Sequence, residues 1–334
     1  MEVLVIGGTL FIGRLLVKEL VKKGHSVTVL HRRAKHELGR QVAAIQADRN
    51  DAAAMRAALA GQHFDVVFDN VYDWERGTTA LQVQGTVEAC GDNLSRYIFM
   101  SSVAAYGDGL NHHEGDALAA EDHADTYARN KANSERLLFR MHSRGGLPAV
   151  TLRPPFVYGP GNPYYREAFF WDRLRDKRPL IVPGDGRRLM QFVQVRDLVW
   201  CALAAMENAA AVGHAFNVAN SKALAQTEVI EALANAARRS MPNLIRIPRE
   251  MLLRAGGHAI KGPNLYFGEY FDLPPITQLV AKAQRVLKFK STDFVEGLRE
   301  TYQWWTHAHP FAKPDYGFED EMIAKAPPFV APAL

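Results

Sequence analysis

Short apolar runs alternate with amphipathic stretches through the first half of the chain. Each run has the length of a buried strand, and the runs lie at Val3–Ile6, Val27–Leu30, Val42–Ala47, Asp65–Phe68, Tyr97–Met100 and Ala149–Leu152. After the first run, apolar side chains at 11, 12, 15, 16 and 20 recur at helical spacing, which predicts a helix over Phe11–Lys23 that Gly24 ends. Because strands that alternate with helices pair in parallel, the pattern predicts a doubly wound parallel α/β sheet of the Rossmann type.

The periodicity weakens in the second half of the chain. Helices are predicted at 166–178, 227–239 and 293–306, whereas 240–282 and 307–334 hold many Gly, Pro and aromatic residues without a clear period. A chain of 334 residues is long for one core. We therefore expect a Rossmann domain at 1–165, to which 190–220 returns, and a smaller C-terminal lobe at 166–334 that encloses a substrate.

Composition and charge are those of a globular protein in water. Hydrophobic residues make up 48% of the chain, charged residues 23%, and the formal net charge is +4. No apolar run approaches the ~20 residues of a membrane span, and no signal peptide is recognised. Cys90 and Cys201 lie in apolar helical surroundings, so we expect reduced core thiols and a cytoplasmic protein. Acids alternate with the bases of Asp172–Arg178, which predicts a solvated helix face rather than a nucleic-acid stripe.

A glycine turn, GGTLFIG, joins the first strand to the first helix. Gly7 and Gly8 permit a tight turn, and Gly13 lets the helix pack close to the strand. The helix N-terminus then offers free N–H groups to a pyrophosphate, although Leu10 stands where many such turns carry glycine. The turn predicts that 1–165 binds NAD(P), with pyrophosphate contacts from Gly7, Gly8, Thr9, Leu10, Phe11, Ile12 and Gly13.

The end of the second strand predicts which dinucleotide is preferred. An acid at that place binds the ribose 2′-hydroxyl of NAD, but here two arginines follow a histidine, and arginines attract the 2′-phosphate of NADP. NADP is therefore preferred over NAD in this interpretation, and exposed arginines without a ligand are the alternative. Polar residues after the third and fourth strands are placed near the adenine and ribose, with loop capping as their alternative. The predicted cofactor contacts of this region are His31, Arg32, Arg33, Asp48, Asp69 and Asn70.

Tyr127 and Lys131 lie four positions apart and therefore on one face of a predicted helix. A phenol with a pKa of about 10 is a poor base at neutral pH, but a neighbouring ammonium group favours the phenolate. Ser102 follows the strand at Tyr97–Met100, at the ligand edge of such a sheet, where its hydroxyl could bind the reacting oxygen. A surface Tyr–Lys pair and a strand-end cap at Ser102 are the alternatives.

Five motifs stand in the order typical of the extended short-chain dehydrogenase/reductases, the NAD-dependent epimerase/dehydratase family. They are GGTLFIG at 7–13, the strand end at Asp65–Asp69, MSSVAAYG at 100–107, the pair Tyr127–Lys131 and LRPPFVYGPG at 152–161. The chain thus resembles that family, which implies a catalytic triad of Ser102, Tyr127 and Lys131. By the same resemblance Lys131 also binds the nicotinamide ribose, and the residues near the nicotinamide are Pro154, Phe156 and Val157.

The resemblance implies NAD(P)-dependent oxidoreductase or epimerase chemistry at a carbinol carbon of a sugar or another polyhydroxylated small molecule. Departures from the family pattern narrow this expectation. Val103 and Ala104 replace the Asp-Glu pair of the 4,6-dehydratases, and Met190 replaces an arginine that grips the diphosphate of nucleotide sugars. The family often forms dimers through paired helices, for which 74–90 and 127–144 are the candidates.

Leu10, the stretch FFWDRLRDKRPLIVPGDG at 169–186 and Gln191 are similar to an atypical branch of the family. That branch includes the chloroplast stem-loop-binding proteins, which associate with RNA. The alternative function is therefore an RNA-associated binding protein with a vestigial pocket, although retention of the Ser–Tyr–Lys set favours an enzyme. His112, His113 and His123 lie in an acidic loop whose spacing fits no metal-ligand pattern, so no metal is expected.

Overall fold

The computed structural model describes residues 1–33, 35–91, 93–308 and 310–326. In chain order its strands are β1 (Glu2–Ile6), β2 (Ser26–His31), β3 (Val42–Gln46), β4 (Val66–Asp69), β5 (Arg96–Met100), β6 (Gly109–His112), β7 (Ala149–Arg153), β8 (Phe156–Tyr158), β9 (Leu180–Pro183), β10 (Leu189–Met190), β11 (Phe192–Gln194), β12 (His214–Asn217), β13 (Leu224–Ala225), β14 (Leu244–Ile247) and β15 (Ile276–Gln278). Its α-helices are α1 (Phe11–Lys22), α2 (Ala52–Leu59), α3 (Ala80–Cys90), α4 (Thr126–Gly145), α5 (Glu167–Arg175), α6 (Val195–Glu207), α7 (Gln226–Ala236), α8 (Arg249–Arg254), α9 (Ala281–Val286), α10 (Phe294–Ala308) and α11 (Gly317–Ala324). Two 3-10 helices lie at Val103–Tyr106 and Ala209–Ala211.

The first of two compact units comprises 1–157, 195–221 and 276–291. In the described part of the chain it contains a seven-stranded parallel sheet with the order β12-β7-β5-β4-β1-β2-β3. The chain winds outward from β1 to β3 and then restarts at β4 on the other side of β1. The doubly wound parallel sheet predicted from the sequence is confirmed, and ligands of such sheets bind where the strand order reverses.

The two faces of β1 pack against different helices because its side chains alternate. Leu4 and Ile6 belong to a buried cluster that includes Met55 of α2 and Val83 of α3. Val3 and Val5, also fully buried, therefore face the opposite side of the sheet. The six strands predicted from apolar runs and the helix after β1 are all present, each within two residues of the predicted bounds.

Several short strands of the first unit had no strand signal in the sequence, and β12 and β15 are two of them. β12 joins the edge of the main sheet beside β7, and β15 pairs in parallel with β6. Both are short, with four and three residues, so neither shows a period that could be recognised. The structure accordingly groups 276–291 with the first unit, whereas the sequence-based division placed it in the C-terminal lobe.

The second unit comprises 158–194, 222–275 and the described part of 292–334. Helices α5, α7 and α10 pack together in it, as the predicted helices at 166–178, 227–239 and 293–306 imply. The prediction of a solvated face over Asp172–Arg178 is wrong at its start, because Asp172 and Arg173 are buried. Arg173 donates from Nε to Glu319 of α11 at 2.8 Å, a partner too distant in sequence for a local charge pattern to reveal.

None of the helices in the described ranges is both long enough and apolar enough to cross a membrane.

Candidate cofactor and active site

Close packing around the turn after β1 requires glycine at its motif positions. A Cβ added to Gly13 would lie 2.0 Å from the carbonyl oxygen of Gly7, so α1 packs directly against the turn. A Cβ on Gly8 would lie 2.6 Å from Cγ1 of Val29, and Gly7 has a left-handed φ of +82°. All three glycines of the motif are therefore required by the close approach of β1, β2 and α1.

Leu10 precedes the first residue of α1 and leaves the turn open. Its backbone is extended, its side chain makes no capping hydrogen bond, and the residue is 60% exposed. The leucine side chain thus lies mainly in solvent and does not fill the turn. The N–H groups of the first helical turn have no acceptors within the helix, so they and the helix dipole fit the pyrophosphate of a dinucleotide.

Unpartnered polar atoms lie at the same edge of the sheet. Both side-chain amide atoms of Asn70 and both ring nitrogens of His31 are inaccessible to solvent and have no hydrogen-bond partner among the described residues. Burial, followed by the charges of His36 and Arg33, lowers the pKa of His31. Buried polar groups in native proteins are rarely left unpaired, so these atoms suit a polar ligand such as the adenosine part of NAD(P).

The predicted 2′-phosphate residues lie in an exposed charged cluster. Arg33 is exposed, and Arg32 places Nη1 3.4 Å from Oδ2 of Asp73. Asp48 accepts a hydrogen bond from the N–H of Asn50 at 3.0 Å, which is the capping role weighed for it. The same carboxylate also binds Arg76 at 2.7 Å. Sequence reasoning missed both Asp73 and Arg76, whose only signal was their position after β4.

Asp69 occupies a buried ion pair. Its Oδ2 accepts from Nη2 of Arg49 at 2.5 Å and from the hydroxyl of Tyr97 at 2.8 Å, and its Oδ1 has no partner among the described residues. Arg49, which the sequence analysis passed over, also donates to Thr86 at 3.2 Å. The structure thus gives one carboxylate oxygen of Asp69 structural partners, while its other oxygen and both amide atoms of Asn70 have no partner among the described residues.

Lys131 brings a positive charge to the end of β5. Its Nζ donates to the carbonyl oxygen of Met100 at 2.6 Å, and the residue is only 4% exposed. The same atom lies 4.7 Å from the ring centroid of Phe99 and 5.8 Å from that of Tyr127. Burial lowers the pKa of Lys131 to about 8. The structure therefore brings the predicted tyrosine and lysine together, as their helical spacing required.

Two aromatic side chains from the segment after β4 cover the Tyr127 ring. Trp74 stacks on it with centroids 4.7 Å apart and planes at 26°, and Tyr72 meets it edge-on, also at 4.7 Å. Asn130 of α4 donates to the hydroxyl of Tyr72 at 3.1 Å, while Trp74 remains 53% exposed. Neither aromatic residue was predicted, because contacts between β4 and α4 depend on the tertiary fold.

Ser102 follows β5 by two residues and caps the 3-10 helix at Val103–Tyr106. Its hydroxyl accepts from the N–H of Ala104 at 3.1 Å, and the residue is 8% exposed. This is the strand-end cap weighed in the sequence analysis, and it leaves the hydroxyl proton free to be donated.

The residues predicted to lie near the nicotinamide follow β7. The carbonyl oxygen of Pro154 accepts from the N–H of Val103 at 3.0 Å, which ties the end of β7 to the end of β5. Val157 is buried and Phe156 partly buried. At the end of β7, Arg153 forms a buried pair with Glu135 of α4, with Nη2 and Oε2 2.7 Å apart. Sequence reasoning missed this pair, which fixes β7 against the helix that carries Tyr127 and Lys131.

The histidine loop is held by contacts within itself and by the pairing of β6 with β15. His112 stacks on Tyr106 with centroids 4.2 Å apart, and its Nδ1 lies 3.0 Å from Oδ2 of Asp116. In the described ranges no group of three His, Cys, Asp or Glu side chains could hold a metal ion.

A Rossmann sheet with a sterically required glycine turn, and a Tyr–Lys pair at its ligand edge, defines a nucleotide-dependent enzyme of the short-chain dehydrogenase type. The profile of the NAD dependent epimerase/dehydratase family matches residues 3–219, more than half of the chain, so the chain belongs to this family. This confirms the resemblance found in the sequence, and the protein is an enzyme of the NAD-dependent epimerase/dehydratase type.

Similar proteins span several activities. The chain is 29% identical to the chloroplast stem-loop binding protein of 41 kDa b from Arabidopsis thaliana, over 97% of this chain and 84% of that protein. It is 27% identical to a 2-alkyl-3-oxoalkanoate reductase from Stenotrophomonas maltophilia, over 71% of this chain and 76% of the reductase. A structure of UDP-glucuronic acid 4-epimerase from Bacillus cereus, with UDP-glucuronic acid and NAD, is 21% identical with a TM-score of 0.71, covering 92% of this chain and 99% of the epimerase. At that identity the structural match supports the fold alone.

Proposed function

We propose that this protein is an oxidoreductase or epimerase that acts at a carbinol carbon of a sugar or another polyhydroxylated small molecule, with NADP preferred over NAD. The observation that carries the proposal is the buried ammonium group of Lys131, 5.8 Å from the ring of Tyr127 at the ligand edge of the sheet. A buried ammonium group without an adjacent carboxylate partner is costly, and chemistry at Tyr127 gives a reason for keeping it.

The chemistry that bound NAD(P) supplies is the transfer of a hydride to or from carbon. In the direction of oxidation, Tyr127 as phenolate takes the proton of the substrate hydroxyl, and in reduction the phenol returns it to the carbonyl oxygen. Lys131 stabilises the phenolate by its charge, which acts strongly because the site is shielded from water. Ser102 donates its hydroxyl proton to the reacting oxygen.

A substrate without a diphosphate is favoured. Met190 stands where nucleotide-sugar enzymes of this family carry an arginine, and it is only 2% exposed. A buried methionine offers no positive charge to a diphosphate. The similar 2-alkyl-3-oxoalkanoate reductase is named for a substrate without a diphosphate, which agrees with this proposal.

An RNA-associated binding protein is the second candidate. It is favoured by the 29% identity to a stem-loop binding protein over 97% of this chain. The formal charge of +4 gives it little support, because non-specific attraction to RNA depends on surface lysine and arginine.

We further propose a cytoplasmic homodimer. Helices α3 and α4 pack against each other, and Leu81 on α3 is 77% exposed, which suits a contact between two copies. Cys201 is buried and both cysteines are free thiols, which agrees with a reducing compartment.

Tyr127→Phe tests the proposed chemistry. The variant should lose turnover by roughly 10²–10⁴-fold, the usual contribution of a general acid–base group. Binding of NADPH should stay within about twofold, because the phenylalanine keeps the ring that stacks on Trp74. Turnover would be measured as NADPH oxidation with a panel of polyhydroxylated ketones and aldehydes, and binding by NADPH fluorescence.

Tyr316→Phe is the matched control. Tyr316 lies in the second unit and donates to Asp176 at the surface, so its removal should leave turnover unchanged. If Tyr127→Phe retained the wild-type rate, Tyr127 would not be the acid–base group.

A further inference from the structure

The segment after β4 forms a rigid turn whose side chains carry charge. Oδ1 of Asp73 accepts from the N–H groups of Glu75 and Arg76, each at 3.0 Å. The N–H of Gly77 closes the turn on the carbonyl oxygen of Asp73 at 2.8 Å, and Gly77 adopts a left-handed φ of +75°. Asp73 therefore shapes the turn with one carboxylate oxygen and leaves the other free for side chains.

Two further hydrogen bonds fix this turn beside the end of β3. Asn50 donates from Nδ2 to the carbonyl oxygen of Gly77 at 2.8 Å. The N–H of Asp73 donates to Oγ1 of Thr78 at 3.0 Å. The position of Arg76 thus depends on backbone contacts of its own turn and not on chance packing of a long side chain.

Arg76 and Arg32 converge on one carboxylate. Arg76 donates to Oδ2 of Asp73 from Nε at 2.9 Å and from Nη2 at 2.6 Å, and Arg32 places Nη1 3.4 Å from the same oxygen. Arg76 also binds Asp48 at 2.7 Å. The two guanidinium groups are 49% and 64% exposed, so a ligand in solution can reach them.

Charged groups of both signs meet in this cluster. The guanidinium groups of Arg32 and Arg76 face the carboxylates of Asp48 and Asp73, and the exposed Glu75 belongs to the same turn. Partial burial opposes ionisation of both acids, but hydrogen bonds from Asn50 and Arg76 lower the pKa of Asp48, and hydrogen bonds from the turn lower that of Asp73. Both acids are therefore ionised at neutral pH, so an incoming anion must take the place of a carboxylate on each guanidinium group.

We propose that Arg76 is a cofactor-selecting residue, which together with Arg32 binds the 2′-phosphate of NADP in exchange for Asp73. The inference rests on the proposed NADP-dependent function. The cluster lies at the ends of β2 and β3, where Rossmann enzymes place the adenosine ribose. A phosphate dianion accepts several charge-assisted hydrogen bonds, so it competes well with one carboxylate oxygen for two guanidinium groups.

The test is equilibrium binding of NADPH, NADH and the fragment 2′,5′-ADP to wild type and to Arg76→Ala. Alanine preserves the turn, because the turn uses the N–H of residue 76 and not its side chain. We expect about tenfold weaker binding of NADPH and 2′,5′-ADP and less than about twofold change for NADH, since one charge-assisted contact to the 2′-phosphate is lost. Arg32→Ala should show the same selectivity.

Arg56→Ala is the matched control for general electrostatics. Arg56 is exposed on α2 and the substitution removes the same charge outside the cluster, so all three ligands should bind as they do to wild type. Arg76→Lys should give intermediate affinity, because lysine keeps the charge and loses the planar fork. Thermal unfolding of each variant checks that the fold is preserved.

The outcomes separate the inference from the proposed function. Tight NADPH binding by wild type with an equal effect of Arg76→Ala on NADPH and NADH, or with no effect on either, would overturn the role of Arg76 and leave the enzyme proposal intact. Wild-type protein that binds none of the three ligands would overturn both.

Discussion

Lys131 holds an ammonium group in a buried environment that is costly for a charge. The residue is 4% exposed, and burial lowers its pKa to about 8 because the charged form loses its water. The carbonyl oxygen of Met100 and the rings of Phe99 and Tyr127 replace part of that hydration. An ammonium group held this way remains mostly charged at neutral pH and faces the phenol that it is proposed to activate.

The pH dependence of stability tests this burial through Lys131→Met. Below about pH 8 the folded and unfolded states both hold the proton, so the cost of burying the charge is fully present. Between about pH 8 and the unfolded pKa of 10.5, the folded state has lost the proton and the unfolded state keeps it, so wild-type stability rises. We expect wild type to gain about 2 kcal/mol relative to Lys131→Met between about pH 7 and about pH 9.5.

Urea unfolding of both proteins at the two pH values measures that difference. Because all other titrating groups are shared, their contributions cancel between wild type and variant. A constant difference across the pH range would mean that Lys131 is not buried as a cation.

The functional residues that could be predicted are those whose sequence pattern lies within one turn or one helix. The Tyr127–Lys131 spacing and the glycine turn were recognised because helix geometry and a tight turn each impose a fixed spacing. The Arg49–Asp69 pair and the stacking of Trp74 on Tyr127 were missed, since strand ends far apart in sequence meet only through the parallel sheet. Arg76 belongs to the same group, because its partners follow β2, β3 and β4.

At the scale of elements, the contact between β1 and α1 decides whether the turn can form. Gly13 lies in the first turn of α1, and a Cβ added to Gly13 would lie 2.0 Å from the carbonyl oxygen of Gly7. Main-chain atoms cannot move aside as a flexible side chain can, so the helix would have to shift away from β1. Such a shift would also displace the N–H groups proposed to bind pyrophosphate.

Gly13→Ala should therefore cost about 3 kcal/mol or more of stability, through overpacking against backbone, and should abolish dinucleotide binding. The measurements are chemical unfolding and NADPH titration. Gly145→Ala is the matched control, because a Cβ there meets nothing within 4 Å. In a helix that substitution should be neutral or stabilise by up to about 1 kcal/mol. Equal stability of the two variants would show that the turn is not sterically closed.

Strands and helices were predicted where their buried positions form a recognisable pattern of apolar residues over enough of the chain. The strands β1, β4, β5 and β7 are continuous apolar runs because they are almost wholly buried, whereas β3 at the edge of the sheet is largely exposed. β12 and β15 are too short to stand out, and β15 depends on its pairing with β6, a segment of the histidine loop. The division of the chain near 276–291 followed from that long-range pairing and could not be obtained from composition.

At the scale of the whole molecule, surface charge separates the two candidate functions. Part of the basic content lies inside the protein, where Arg49, Arg153 and Arg173 are buried in pairs with acids. These arginines add nothing to the field that attracts a nucleic acid. The exposed arginines Arg32 and Arg76 lie close together on Asp73, which suits one phosphate better than the repeated phosphates of an RNA backbone.

We therefore expect an RNA stem-loop to bind only in the non-specific range, with a Kd of about 10⁻⁴–10⁻⁶ M at physiological salt. NADPH at about 100 times its Kd should stabilise the folded protein by about 2.7 kcal/mol and raise the unfolding temperature. NADPH should also displace any RNA held by the Arg32–Arg76 cluster, because both ligands present phosphate to the same guanidinium groups. Fluorescence anisotropy of a labelled stem-loop, with and without NADPH, measures both effects. Nanomolar RNA binding that NADPH does not displace, and that Tyr127→Phe leaves unchanged, would favour the RNA-associated function and would locate that surface away from the cofactor site.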